Sequence, residues 1–342
     1  MSHKNLSVKI KIPKFFRDKL KHKEVNHIYK RFEKSLNIIE NFGVAVSGGP
    51  DSLALAFLAK IYSLKRGISP KFFIVDHKLR PESTMEAKAV QKILRKVFIN
   101  LEILTWKGKK PKNNIQSIAR KIRYQLMNDR CEEYKIKSLL VGHHQDDLIE
   151  NFFIRMVRGS GLKGLVSMDK ISKINNINIH RPLIDQKKDD LVLVSKKIFD
   201  FYVRDPSNND EKFQRIRIRK LIEELRKDGL DRNKFLATIK NLKYSNNVIN
   251  FYVAENLKQN TFFSNKDKRL ILNKSFFLKS YEVVFRGLSD SLKKIGGKYY
   301  SVRGKKLEKM IYDIQNNRLF RSTLGGCIVE KVNHTIIISK EG

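Results

Sequence analysis

The chain has 342 residues, with 71 Lys and Arg against 35 Asp and Glu and a formal net charge of +36. That length allows about two domains of roughly 150 residues, and a hydrophobic content of 41% suffices for packed cores, which excludes a disordered basic tail. The cation excess points to a polyanionic partner, because clustered Lys and Arg neutralise phosphates and release counterions. The competing explanation is an AT-rich coding sequence, which enriches Lys, Asn and Ile without selection for binding. Only Cys131 and Cys327 are present, too far apart for a CxxC redox pair, a disulfide framework or a cysteine-based metal or iron–sulfur site. No apolar run approaches the roughly 18 residues of a membrane span. The N-terminal MSHKNLSVKIKIPKFF lacks the apolar core and small-residue cleavage site of a secretory signal. The expectation is a cytoplasmic protein that engages no membrane.

Ile28, Phe32, Leu36 and Ile39 recur at helical spacing, so residues 1–40 read as an N-terminal helical extension. An alternation follows. Strands are predicted over Gly43–Gly48, Lys71–His77, Ile99–Trp106 and Ser138–Gly142, and helices over Leu53–Leu64, Met85–Val97, Ile115–Tyr134 and Asp146–Val157. Short strands separated by single helices make βαβ crossovers, so residues 41–220 are expected to form an α/β domain around a doubly wound parallel sheet, Rossmann-like in plan. Beyond residue 186 the alternation stops. A helix over Lys187–Tyr202, a turn at Asp205–Asn208 and a helix from about Phe213 introduce a helical region. Residues 221–342 read as helical, then as a small α+β module with a helix over Lys305–Ile314 and strands over Cys327–Val332 and Thr335–Ser339.

In such sheets ligands bind outside the carboxyl ends of the strands. Three strand ends are unusual: Ser47-Gly48-Gly49-Pro50-Asp51-Ser52, Asp76-His77-Lys78-Leu79-Arg80 and Gly142-His143-His144-Gln145-Asp146-Asp147. In the first, two glycines after a buried strand let successive N–H groups form an anion nest at a helix start, where phosphate is the natural guest. Ser47 and Ser52 add hydroxyls, and Asp51 adds a carboxylate suited to the Mg²⁺ that accompanies a phosphate. The loop is tighter than GxxxxGK[ST] and has no lysine. A plain turn with a capped helix is the bland alternative.

SGGPDS resembles the pyrophosphate-loop motif of the N-type ATP pyrophosphatases, the PP-loop superfamily. VDHKLRPES (Val75–Ser83), NIQSIARKIRYQ (Asn114–Gln125), the Gly142–Met168 segment, RPLID (Arg181–Asp185) and DPSN (Asp205–Asn208) are similar, in order, to motifs of one branch, the tRNA(Ile)-lysidine synthetases. The resemblance covers residues 43–219. It implies ATP-dependent attachment of L-lysine to C2 of the wobble cytidine in a tRNA(Ile) with a CAU anticodon, through an adenylated cytidine. The codon read then changes from AUG to AUA.

The resemblance also implies site roles. Ser47, Gly48, Gly49, Pro50, Asp51, Ser52, Asp76 and His77 would hold ATP, with Mg²⁺ at Asp51. Asp147 and Glu150, three apart and so on one helical face, would recognise lysine, with His143 at the mouth of the same helix. Arg123 and Arg217 would act at the nucleotide and substrate. Capping of a solvated helix, surface charge on an amphipathic helix, and a dinuclear metal site with Asp76 and His77 are the competing readings of these side chains. In QRIRIR, Ile216 stands where the family has asparagine, which leaves position 216 without a role. Gly159–Gly164 reads as a mobile loop over the flipped wobble base or as a plain connector.

Lys293–Lys309, with Tyr299 and Tyr300 among its cations, is a candidate tRNA contact. The expected partners are tRNA(Ile), L-lysine and ATP, with no obligate protein partner and room for a homodimer. A tRNA thiolase of the same superfamily is the alternative, opposed by the two isolated cysteines.

Overall fold

Two short helices open the described chain, α1 (Lys14–Leu20) and α2 (Lys23–Lys34). The computed structural model describes residues 12–108, 111, 115–203, 210–298 and 302–342. The first eleven residues, Asn114, the Asp205–Asn208 turn, Tyr299 and Tyr300 lie outside the described residues. Helix α2 buries Val25, Ile28, Tyr29 and Phe32 on one face. It stops earlier than the apolar spacing predicts, at Lys34, where Ser35 is the C-cap and its hydroxyl lies within hydrogen-bond reach of the Phe32 and Pro182 carbonyls. Leu36 stays buried and Ile39 is exposed.

The alternation then runs β1 (Gly43–Val46), α3 (Pro50–Arg66), β2 (Lys71–Asp76), α4 (Ser83–Lys96), β3 (Leu101–Thr105), α5 (Ile115–Glu133), β4 (Ser138–Leu140) and α6 (Gln145–Val157). A short helix α7 (Leu162–Leu165) leads into the hairpin β5 (Ile171–Ile174) and β6 (Ile177–His180), and α8 (Lys188–Phe199) and α9 (Gln214–Lys227) follow. The sheet order is β3-β2-β1-β4-β6-β5. Its pairings are parallel except β5–β6, so the parallel sheet carries one antiparallel edge strand.

Helix α3 is buried nearly all round, from Leu53 through Ala59 and at Ile61 and Tyr62, because α2 and α8 pack against it as well as the sheet. A helix so placed must be apolar on every face. Phe16 of α1 stacks on Phe57 of α3 at 5.8 Å between ring centroids, so residues 12–40 share the core of the sheet domain. The strand order reverses between β1 and β4, which are direct neighbours. The loops leaving these two strands therefore meet at the topological switch point, where the sheet leaves room for a ligand.

By its contacts the chain divides into two compact units at Phe235/Leu236, later than the expected boundary after residue 220. In the first unit α9 packs on α6, and Phe235, near the start of α10 (Arg232–Asn260), stacks on Phe153 at 5.1 Å and meets Phe152 edge-on at 5.2 Å. The second unit continues with β7 (Thr261–Ser264), β8 (Arg269–Leu272), a 3-10 helix (Lys274–Leu278), α11 (Tyr281–Gly296), α12 (Gly304–Gln315), β9 (Arg321–Leu324), β10 (Cys327–Val332) and β11 (Thr335–Lys340). Its antiparallel sheet, ordered β7-β8-β11-β10-β9, closes over α11 and α12 around Phe276, Leu288, Leu292, Leu307, Val329 and Ile338. No described helix is long and apolar enough to cross a membrane.

Candidate active site at the switch point

The Ser47–Ser52 loop leaves β1 and enters α3 at Pro50, where a missing N–H costs nothing and φ is preset for a helix. The Ser52 hydroxyl accepts from the Ser47 amide at 3.0 Å and donates to the Gly49 carbonyl at 2.9 Å, which closes the loop on itself. Gly48 sits at φ +85°, and a β-carbon there would lie 2.8 Å from Val90 and 3.0 Å from Val203, so only glycine suits it. From the neighbouring strand, Gly142 passes so close that its β-carbon would be 3.3 Å from the Asp51 backbone.

Asp51, in the first turn of α3, has one carboxylate oxygen, Oδ2, 3.4 Å from His144 Nε2. Its Oδ1 is buried and has no hydrogen-bond partner. His144 is the N-cap of α6. Its Nδ1 accepts from the Asp146 amide at 3.2 Å, while its own amide donates to Asp147 Oδ2 at 3.0 Å, a reciprocal capping box. The same imidazole Nε2 is 3.5 Å from Asp147 Oδ2, so His144 lies between the Asp51 carboxylate of the Ser47–Ser52 loop and the Asp147 carboxylate of α6. Burial opposes charge on this ring. The hydrogen bond to Asp51 and the carboxylates of Asp147 and Asp146 outweigh it and hold His144 above the usual histidine value.

Asp147 and Glu150 are both buried on α6. Arg215 of α9 donates to both carboxylates, through Nη2 to Asp147 and through Nε to Glu150, and Arg219 Nε donates to Glu150 at 2.6 Å. Burial favours the neutral acid at Asp147, but His144 and then Arg215 hold it below the usual carboxylate range. Arg217, chosen from the sequence, is not part of this cluster: its Nη1 donates to the Glu211 and Lys212 carbonyls at 2.7 and 3.1 Å. On a helix, residues four apart share a face and residues two apart do not. Ile216 and Ile218 are buried, which gives the departure at position 216 a packing role.

The remaining predicted residues divide. The Asp76 carboxylate accepts from the Lys78 amide at 3.0 Å and the Ser83 and Thr84 hydroxyls at 2.8 and 2.6 Å, so it organises the turn into α4. His77 accepts at Nε2 from Arg123 Nε at 3.4 Å, and its Nδ1 is buried without a partner. Burial, then the Arg123 charge, push this imidazole down to about 4. His143 accepts at Nδ1 from Arg181 Nε at 3.2 Å. Burial pushes it down to about 3, with Arg181, Arg120 and Arg215 adding to the effect and Asp147 opposing it.

His143 and Arg215 border a cleft of about 780 Å³ whose wall also carries Arg120, Arg155, Arg158 and Lys212. The Gly159–Gly164 segment overlaps the helical turn α7. Among the described residues no group of three or more His, Cys, Asp or Glu side chains could hold a metal ion by itself. Four contributors, Arg215, Arg219, His144 and Arg181, are not among the site residues expected from the sequence. The Arg215–Arg219 pair is visible as an i, i+4 repeat on a helix, His144 as a polar N-cap ahead of Asp146-Asp147, and Arg181 only as the first residue of RPLID.

The PP-loop domain family matches residues 19–225 of this chain. The tRNA(Ile)-lysidine synthase of Orientia tsutsugamushi is 37% identical over 312 residues, covering 87% of this chain and 69% of that protein. The tRNA(Ile)-lysidine synthase of Rickettsia akari is 33% identical over 343 residues, with 92% and 74% covered. Among solved structures, the U34-tRNA thiolase NcsA from Methanococcus maripaludis superposes with a TM-score of 0.55 at 18% identity, covering 65% of this chain and 78% of that one, a likeness of fold alone. With a family match over more than half its length and relatives matched over more than two thirds of theirs, the chain belongs to the tRNA(Ile)-lysidine synthase family of PP-loop proteins.

Proposed function

We propose that this chain is an ATP-dependent ligase that joins free L-lysine to C2 of the wobble cytidine in the CAU anticodon of tRNA(Ile). Cytidine O2 attacks the α-phosphorus of ATP and pyrophosphate leaves. The neutral lysine ε-amine then attacks C2, the C2–O bond breaks, the oxygen departs with AMP, and one proton passes from the amine nitrogen to solvent. The observation that carries this reading is His144, whose imidazole lies between Asp51 of the phosphate loop and Asp147 of α6. One side chain thus joins the place for ATP to the place for the amino acid.

The loop from Ser47 to Ser52 supplies backbone N–H groups at a helix start for the phosphates. The orphaned, buried Oδ1 of Asp51 would suit a Mg²⁺ ion accompanying the ATP phosphates. When bound, such an ion neutralises charge on the departing pyrophosphate. Asp147 and Glu150 lie against Arg215 and Arg219, so anionic and cationic groups alternate. That pattern complements the α-ammonium and α-carboxylate of a free amino acid and leaves the ε-amine to react. The depressed Asp147 suits a fixed anion. The cationic cleft beside His143 suits the phosphates flanking a base drawn from its stack.

The thiolase alternative is not favoured: Cys131 and Cys327 are both buried, and burial pushes the Cys131 thiol up to about 12, far from a reactive thiolate. The test is transfer of labelled lysine to tRNA(Ile) bearing CAU with ATP and Mg²⁺. Lysine-dependent AMP release with this tRNA supports the assignment, and its absence refutes it.

A further inference from the structure

Arg181 has no part in the reaction as written above, yet among the described residues it is one of two buried arginines, at 8% exposure. It follows β6, which pairs with β4, so its side chain reaches the strand end that carries His143. Nη1 donates to the Asp169 carbonyl at 2.8 Å and the Ser172 hydroxyl at 2.9 Å, which fixes the guanidinium plane, and Nε donates to His143 Nδ1 at 3.2 Å. A guanidinium has donors only and does not lose its proton. Nδ1 of His143 must therefore be the nitrogen with the lone pair, and in the neutral ring the proton resides on Nε2. Burial disfavours a second proton on this ring; Asp147 opposes that effect, and the charges of Arg181, Arg120 and Arg215 add to it.

We infer that Arg181 is a positioning residue that fixes His143 as a neutral Nε2–H donor at the substrate cleft. Resting on the function proposed above, the inference gives His143 a definite part. It donates a hydrogen bond to the atom of the reacting pyrimidine that gains electron density and takes no proton from the lysine amine. A fixed donor of this kind needs no reorganisation as charge develops.

The test is a double-mutant cycle in the full chain, because residues that act as a unit lose activity non-additively. Arg181→Gln should lower kcat by roughly ten- to a hundredfold, the equivalent of one hydrogen bond to a charged group, and should lower it little further in a His143→Gln background. Arg181→Lys, which can still donate to Nδ1, should restore part of the loss. Losses that add fully would show that Arg181 serves only the β5–β6 hairpin and would overturn the inference.

Should the Arg181 variants fail to fold, nitrogen-15 spectra of the unsubstituted protein still decide, with His143 assigned by its absence in His143→Gln. Expected is a bare Nδ1 and a protonated Nε2, unchanged between about pH 6 and 8. A protonated Nδ1 or an imidazolium in that range would overturn the inference. These spectra need no substrate, so failure of the lysine reaction with the expected tautomer present would count against the proposed function alone.

Discussion

Replacing His144 separates two things the imidazole does. Its Nδ1 caps α6 by accepting from the Asp146 amide, and its Nε2 stands 3.4 and 3.5 Å from the Asp51 and Asp147 carboxylates. His144→Asn keeps a good N-cap acceptor and removes the Nε2 donor. His144→Ala removes both and leaves an unfilled space at a side chain only 4% exposed. A lost cap costs about 1 kcal/mol, so His144→Ala should unfold in urea at least that much more easily than His144→Asn. In activity the two should fall together. Losing a hydrogen bond to a charged group costs about 1.5–3 kcal/mol, roughly a ten- to hundredfold drop in kcat/KM. Steady-state pyrophosphate release with tRNA, varying ATP and then lysine, reads both values. Should His144→Asn keep the unsubstituted kcat/KM for both substrates, the imidazole is a helix cap and nothing more, and the link between the two halves of the site is wrong.

Other outcomes follow from the same contacts. Arg215→Ala should raise KM for lysine while Arg217→Ala leaves it nearly unchanged, and loss of the α-carboxylate, as in cadaverine, should cost the Arg215→Ala protein less than the unsubstituted one; equal KM changes for both variants would contradict the pairing described here. Tyr62→Phe should destabilise by about 1–3 kcal/mol, because the buried hydroxyl both donates to the Ile38 carbonyl and accepts from its amide; an unfolding midpoint within error of the parent would refute this. His77 and His143 are pushed to about 4 and 3 in the fold from an unfolded value near 6.5, so below pH 6.5 the unfolded chain binds more protons and stability falls as pH falls. The slope is at most about 1.4 kcal/mol per pH unit for each histidine, with His144 acting in the opposite sense. Denaturant unfolding at several pH values should show a shallower acid limb in His143→Gln, and an unaltered limb would contradict the assignment.

The sheet domain was largely legible because its signal is local: short buried strands, helices between them, and glycines at a strand end. The β5–β6 hairpin was not, since ISKINNINIH is short and partly polar, and only the Asn175–Asn176 turn between paired strands marks it. Phosphate-loop residues and the Asp147–Glu150 pair were legible as motifs, and the fold places them at one switch point. What motifs do not encode is the direction of each side chain. Arg217 stands out over Arg215 and Arg219 only through the resemblance to the family motif, whereas on α9 the helical period turns 215 and 219 to one side. Asp76 has the residue type of a ligand-binding carboxylate, yet its oxygens are taken by Lys78, Ser83 and Thr84 within the following turn. Division at Phe235 rather than near residue 220 depends on aromatic stacking with Phe152 and Phe153, a contact between segments far apart in sequence.

Mass spectrometry of the wobble nucleoside, after incubation of tRNA(Ile) bearing CAU with the protein, ATP, Mg²⁺ and lysine, reads the transfer itself. The expected product is a cytidine heavier by one lysine less a water, dependent on both ATP and lysine and absent with Asp51→Ala. An unmodified cytidine under these conditions, or one carrying sulfur, would contradict the proposed function.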